Sequence, residues 1–373
     1  MDIRSLKIQF SDEERKLMLE RIGECLSSGQ LSSGKYVKAL EAEFVKISGC
    51  KHAVAVNSGT SSIEIVMRIL GVQGKEVLVP TNTFLATASA VRFAGGTVRL
   101  VDTDKKTCCV SLEGLKKRVT NKTVGIVIVH IGGIITPEMQ AIKEWCDAEG
   151  LWLFEDAAHA HGSQLEGISA GKFGIAGSFS LFATKIITSG EGGIIVTDDA
   201  NIAEQARLFR NHGKPMEWVT YSILEGSNFR MSDVAGAIGL TQAEALDDII
   251  AGREKIADIY TTYLRKEMPE LELLLPAGRS SWYKYIVLLP DGVSRDVVKE
   301  KMKEKGIGLP GEVYAIPLHQ QPVANLLDID CDFPVADDIC ARQICLPIYP
   351  SLSAEEVRIV AVELLKTIRE ELI

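Results

Sequence analysis

The sequence predicts an α/β protein. A large N-terminal domain carries a mainly parallel sheet sandwiched by helices, and a smaller α/β domain follows it. Three observations support this reading. Apolar runs of strand length alternate with helical patterns over the first two thirds of the chain. Most of these runs are continuously apolar, as strands buried on both faces are. After about residue 240 the texture changes to long polar helices with few strand runs. At 373 residues the chain exceeds one compact core. The expected domains are 1–245 and 246–373, with the N-terminal helix packing on the smaller one.

The elements follow in order. Ser11 and Glu14 have the spacing of a capping box and open the N-terminal helix. Strands are expected at 53–56, 76–79, 97–101, 124–129, 151–154, 178–182 and 193–196. Between the first two, Ile63, Val66, Met67 and Leu70 form one apolar helical stripe. This βαβ rhythm predicts parallel pairing. The smaller domain begins with a polar helix over 241–266. A strand at 282–289 and a charged helix at 295–305 come next. A last helix opens at Ser353 and Glu356, again with capping-box spacing, and repeats Val357, Val360, Ala361 and Leu364 along one face.

Composition narrows the function. Hydrophobic residues are 46% and charged residues 24%, ordinary for a globular protein. A net charge of -9, with no basic run, argues against nucleic-acid binding. The N-terminus MDIRSLKIQFSDEERK has no signal-peptide core, and the longest apolar runs are far too short to span a membrane. The eight cysteines include no C-x-x-C pair; Cys108 and Cys109 are adjacent, and Cys340 and Cys345 are five apart. Reduced thiols in a cytoplasmic protein, with no metal site, is the expectation.

Four segments carry the chemistry. Asn57-Ser58-Gly59-Thr60-Ser61 follows a strand and opens a helix, where free N–H groups and hydroxyls suit either a simple cap or an anion. In Phe154-Glu155-Asp156-Ala157-Ala158-His159 an apolar strand runs into two acids. Ligands of parallel α/β sheets sit at the carboxyl ends of the strands, so Asp156 is the site candidate and Glu155 its support. A carboxylate there can keep a pyridine nitrogen protonated. Ser178 to Lys185 places a lysine after a buried strand and among apolar neighbours, where a lowered pKa suits Schiff-base chemistry. Pro80-Thr81-Asn82-Thr83-Phe84 offers an aromatic ring that is either core or a stacking partner. No G-x-G-x-x-G follows an early strand, which sets aside a dinucleotide dehydrogenase.

Taken together, these segments resemble the DegT/DnrJ/EryC1/StrS sugar aminotransferases, a family of fold-type I pyridoxal-phosphate enzymes. The resemblance runs through SGKYVKALEAEF from Ser33, VNSGTSS from Val56, VPTNTFLAT from Val79, FEDAAHAHGS from Phe154 and GSFSLFATKIITSGEGGIIVTDD from Gly177. It continues in RNHG from Arg210, NFRMSDVAGAIGLTQ from Asn228, PLHQQP from Pro317 and CLPIYPSLSAEE from Cys345, in order over nearly the whole chain.

The resemblance implies a pyridoxal 5'-phosphate fold-type I transferase in which Lys185 forms the internal aldimine. It implies that Asp156 pairs with the ring nitrogen and that Phe84 stacks on the ring. Ser58, Gly59, Thr60 and Ser180 would hold the phosphate, and Asn228 would reach it from the other subunit of a homodimer. His159 stands where the family often has Gln beside the ring hydroxyl. His212, Tyr314 and His319 are expected near the substrate. Two segments depart from the family pattern, 308–314 and His130-Ile131-Gly132-Gly133. The implied reaction moves an amino group from glutamate, through the pyridoxamine form, to a keto-sugar linked to a nucleotide, with Lys185 as general base. The rivals are a dehydratase of the same family and a cofactor-binding regulator without turnover. Lys185 argues against the dehydratase group, in which histidine replaces the lysine.

Overall fold

A computed structural model of the chain describes residues 2–216, 218–327 and 329–373. Twelve strands occur among these residues. They are β1 His52–Val56, β2 Glu76–Pro80, β3 Thr97–Val101, β4 Thr123–Val129, β5 Trp152–Asp156, β6 Gln164–Leu165, β7 Ile168–Ser169, β8 Ala176–Ser180, β9 Gly193–Thr197, β10 Glu272–Leu274, β11 Tyr285–Leu288 and β12 Gln343–Leu346. Seven form one sheet in the order β1-β9-β8-β5-β4-β2-β3. The β8-β5-β4-β2-β3 pairings are parallel, and β9 runs antiparallel to both its neighbours.

The uninterrupted apolar runs have the predicted cause. Ala53 and Ala55 of β1, Leu78 of β2 and Ile126 and Ile128 of β4 enter one core. Val54, Val56, Val77, Val79, Val127 and Val129 enter a second core on the opposite face. A strand covered on both sides has no face left for polar residues. Helices Lys35–Ser48 and Asp233–Glu244 cover one face, and Gly59–Ile69, Leu85–Phe93 and Ala200–Arg210 the other.

A third core gathers around the antiparallel sheet β10-β11-β12 and helices Leu246–Glu267, Arg295–Glu304 and Ala354–Glu371. The expected helix over 241–266 is two helices that part at Ala245: Asp233–Glu244 joins the large core, while most buried residues of Leu246–Glu267 face the small one. The N-terminal helix also departs from expectation. Asp12–Ser28 buries only Met18 and Cys25 and packs against Asp233–Glu244, through Arg21 on Thr241 (3.0 Å) and Gln242 on Glu14 (2.6 Å). The residues before it do reach the small core, where Ile3 and Gly306–Gly308 exchange two backbone hydrogen bonds of 2.8 Å.

Candidate active site

The parallel strands deliver their last residues to one edge of the large sheet, where crevices between strand ends form ligand sites. A cavity of about 400 Å³ lies there. Ser58 follows β1, Asp156 ends β5, Ser180 ends β8 and Phe84 follows β2; all line it. Gly59, Thr60, His159, Lys185 and Tyr314 line it too.

At one end stands the first turn of helix Gly59–Ile69. The Ser58 hydroxyl accepts from the Ser61 amide at 3.1 Å, so it is occupied as a cap. Among the described residues the amides of Gly59 and Thr60 have no partner, leaving two donors and the positive helix end for an anion. Close approach is built in. A Cβ on Gly59 would come 2.9 Å from that of Ser180, and one on Gly193 would come 2.1 Å from the Ser58 carbonyl oxygen.

Elsewhere in the cavity lies Asp156. Its carboxylate accepts from Thr87 Oγ1 at 2.8 Å and from the Ala158 amide at 3.2 Å. Burial raises its pKa; these hydrogen bonds and the charge of Lys185 pull the other way. Lys185 is half-buried in the turn after β8. Burial lowers its pKa, and nearby Lys284 adds to that, against Tyr283 and Asp156. His159 stacks on Tyr283 (4.3 Å between ring centroids) and lies nearly parallel to Tyr314 at 6.1 Å. Burial, reinforced by Lys185 and Lys284, holds its pKa well below the usual value, so the ring is neutral. Its Nδ1 accepts from the Gly132 amide at 3.4 Å, which leaves the proton on Nε2 as a donor. Phe84 is 64% exposed, a ring free to cover a flat ligand.

Glu155 is not at the cavity. Its buried carboxylate accepts from the amides of Gly171 and Gly174, both at 2.7 Å, and meets His130 Nε2 at 2.9 Å. It holds the turn behind Asp156. Three further residues lie apart from the cavity. His319 is spent between Thr81 Oγ1 (2.7 Å) and Asp337 (2.9 Å) and joins β2 to helix Pro334–Arg342. His212, at φ 58°, and Asn228 sit on an exposed ladder where Asn211 pairs with Asn228. Sequence reasoning missed Tyr283, Lys284 and Thr87. Tyr283 and Lys284 stand in the WYKY run just before β11, and only the docking of the small sheet brings them to Lys185, whose ammonium lies 4.9 Å from the Tyr283 ring centroid. Thr87 ends the VPTNTFLAT run, one helical turn past Thr83, to which it is hydrogen-bonded at 2.9 Å.

The donor set fits pyridoxal phosphate: two free helix amides for a phosphate, a buried carboxylate for a ring nitrogen, and a lysine with lowered pKa for an aldehyde. Comparisons with known proteins agree. The model of the DegT/DnrJ/EryC1/StrS aminotransferase family matches residues 12–365, and the chain belongs to that family. GDP-perosamine synthase of Escherichia coli O157:H7 is 33% identical over 343 residues, covering 91% of this chain and 92% of that one. Helicobacter pylori PseC, an aminotransferase involved in the biosynthesis of pseudoaminic acid, superposes with a TM-score of 0.91 at 27% identity, covering 99% of this chain and 100% of that one. The E. coli GDP-4-keto-6-deoxy-D-mannose-3-dehydratase, solved with hydrated pyridoxal phosphate, gives 0.89 at 26% identity, covering 98% and 99%. The chain is thus a pyridoxal-phosphate-dependent aminotransferase, taking an amino donor and a keto-sugar. Among the described residues no helix is long and apolar enough to cross a membrane, and no group of three or more His, Cys, Asp or Glu is placed to hold a metal.

Proposed function

We propose that the chain transfers an amino group from glutamate to a keto-sugar linked to a nucleotide, in amino-sugar biosynthesis in the cytoplasm, and that Lys185 is its catalytic lysine. The observation that carries the reading is the convergence of Lys185, Asp156 and the free amides of Gly59 and Thr60 on one cavity. The sugar class rests on similarity to GDP-perosamine synthase.

When bound, pyridoxal phosphate supplies an aldehyde for amine exchange and a ring that draws electrons from the reacting carbon. The protein supplies the rest. Gly59 and Thr60 anchor the phosphate, with Ser58 and Ser180 flanking it. Asp156, buried and fixed by Thr87, keeps the ring nitrogen protonated; that positive charge in turn holds the carboxylate ionised against its burial. His159 donates Nε2–H to the ring hydroxyl. Phe84 covers the ring face. Lys185 has a lowered pKa, so its amine is available both to hold the cofactor and to move a proton at the substrate carbon.

The working unit is a homodimer with shared sites. Asn228 is exposed and is not among the residues lining its own cavity, and the same segment exposes Trp218 (89%), Met216, Tyr221 and Ile223. Such a stretch of apolar side chains is suited to a second copy, which would receive Asn228 near its phosphate end.

The test is the visible spectrum of the purified protein with pyridoxal phosphate, before and after L-glutamate. The reading expects a cofactor band that glutamate shifts, and that Lys185→Ala lacks. A wild type that never gains the band overturns it.

A further inference from the structure

The geometry points to Lys284 as an anion-recognition residue of this site, gripping a negatively charged group on a substrate. The inference rests on the proposed function and adds to it. Lys284 precedes β11 and lines the active-site cavity. It also lines a neighbouring cavity of about 220 Å³, with Ser5, Thr184 and Pro310. Its ammonium lies 5.5 Å from the Tyr283 ring centroid, and that of Lys185 lies 4.9 Å from the same centroid. Lys284 thus brings a cation into the partly buried space around Lys185, within about 10 Å of it, where a negatively charged substrate group would meet it.

No protein group supplies that anion. Among the described residues Lys284 has no carboxylate at ion-pair distance, and its side chain makes one long hydrogen bond, 3.5 Å to the Pro310 carbonyl. The acids on the cavity wall are otherwise placed. Asp156 is held by Thr87 and Ala158. Glu312 is taken by Lys299 at 2.8 Å and Arg295 at 3.3 Å. Glu191 is exposed and, among the described residues, makes no ion pair.

The main chain that carries it is held in place. The Lys284 amide donates to the Gly132 carbonyl at 3.2 Å, and a Cβ on Gly132, at φ 64°, would come 2.9 Å from Ile286. The two segments that depart from the family pattern, 130–133 and 308–314, therefore hold Lys284 by its main chain and by its ammonium. Anchoring the main chain keeps the base of the lysine at the cavity wall, so less ordering is left for a ligand to impose. The cofactor phosphate is assigned to Gly59 and Thr60, so the anion belongs to a substrate. Two sources share the chemistry: a carboxylate of the amino donor and the diphosphate of a nucleotide-linked sugar.

The experiment uses holoenzyme and two variants, Lys284→Gln and Lys284→Arg, each first shown to keep the wild-type cofactor band and melting temperature. One arm follows the cofactor spectrum during reaction with L-glutamate alone. The other measures binding of UDP, GDP, CDP and dTDP. If the donor carboxylate is the partner, Lys284→Gln raises half-saturation by glutamate roughly tenfold with the maximal rate nearly kept, and Lys284→Arg largely restores it. If the diphosphate is the partner, nucleotide affinity falls by a similar factor and glutamate is unaffected. Unchanged glutamate saturation with no nucleotide affinity lost overturns the assignment. That outcome leaves the proposed function standing, because the latter fails only when wild type shows no cofactor band.

Discussion

Burial acts on individual residues here in two ways. At the cavity it shifts Asp156 and Lys185 toward their neutral forms, where a charged cofactor can reset them. Behind the cavity it makes Glu155 dependent on its partners. Glu155→Ala removes an acceptor from the buried Gly171 amide, the half-buried Gly174 amide and His130, and should cost about 3–5 kcal/mol, read by chemical denaturation. His161 is the opposite case. It is buried against Phe44 and Phe179, where among the described residues neither ring nitrogen has a hydrogen-bond partner of good geometry, and burial pushes its pKa down to about 3 from 6.5 against a weak contact with the Ser180 backbone. The unfolded chain therefore takes up this proton first as pH falls. The histidine costs nothing above pH 6.5 and destabilises progressively between 6.5 and 3. Between pH 7 and 5, His161→Phe should lose about 2 kcal/mol less stability than wild type. Equal losses in parallel urea titrations would rule this out.

Among the elements, two helix starts depend on distant residues. Helix Lys35–Ser48 begins at Gly34, which has no side chain to cap it. Asp233 caps it from another helix, accepting from the Tyr36 and Val37 amides at 3.0 and 2.9 Å. A Cβ on Gly34 would come 2.5 Å from that carboxylate, which explains the glycine. Asp233→Ala should lower stability by about 1–2 kcal/mol in a melting experiment. Helix Gly59–Ile69 is set by Gly193 at the start of β9. An added Cβ would strike backbone, the Ser58 carbonyl and the Gly59 amide at 2.1 and 2.7 Å, so no rotamer change relieves it. Gly193→Ala should displace the anion-binding turn and weaken cofactor retention at least tenfold by fluorescence titration.

For the whole molecule the question is whether each site needs two chains. If Asn228 serves the partner's cavity, Lys185→Ala and Asn228→Asp damage sites of different parentage. Co-expressed, the two inactive variants should recover about a quarter of wild-type activity, because half the dimers are mixed and each mixed dimer has one intact site. If Asn228 serves its own chain, mixing restores nothing.

The sequence by itself determined the α/β class, the large sheet and the segments that bring Asp156, Lys185 and Gly59 to one edge. The reason is local: strands buried on both faces must be continuously apolar, and a glycine, acid or lysine at the end of such a run stands out. Tertiary structure decided the rest. His319 has a family motif around it, yet Thr81 and Asp337 use both its ring nitrogens. Tyr283 and Lys284 look like ordinary strand-flanking residues. They reach Lys185 through the docking of the small sheet, where the Gly132 carbonyl accepts from the Lys284 amide across more than 150 positions of sequence. A contact of that kind leaves no periodicity in the chain, so only the folded arrangement reveals it.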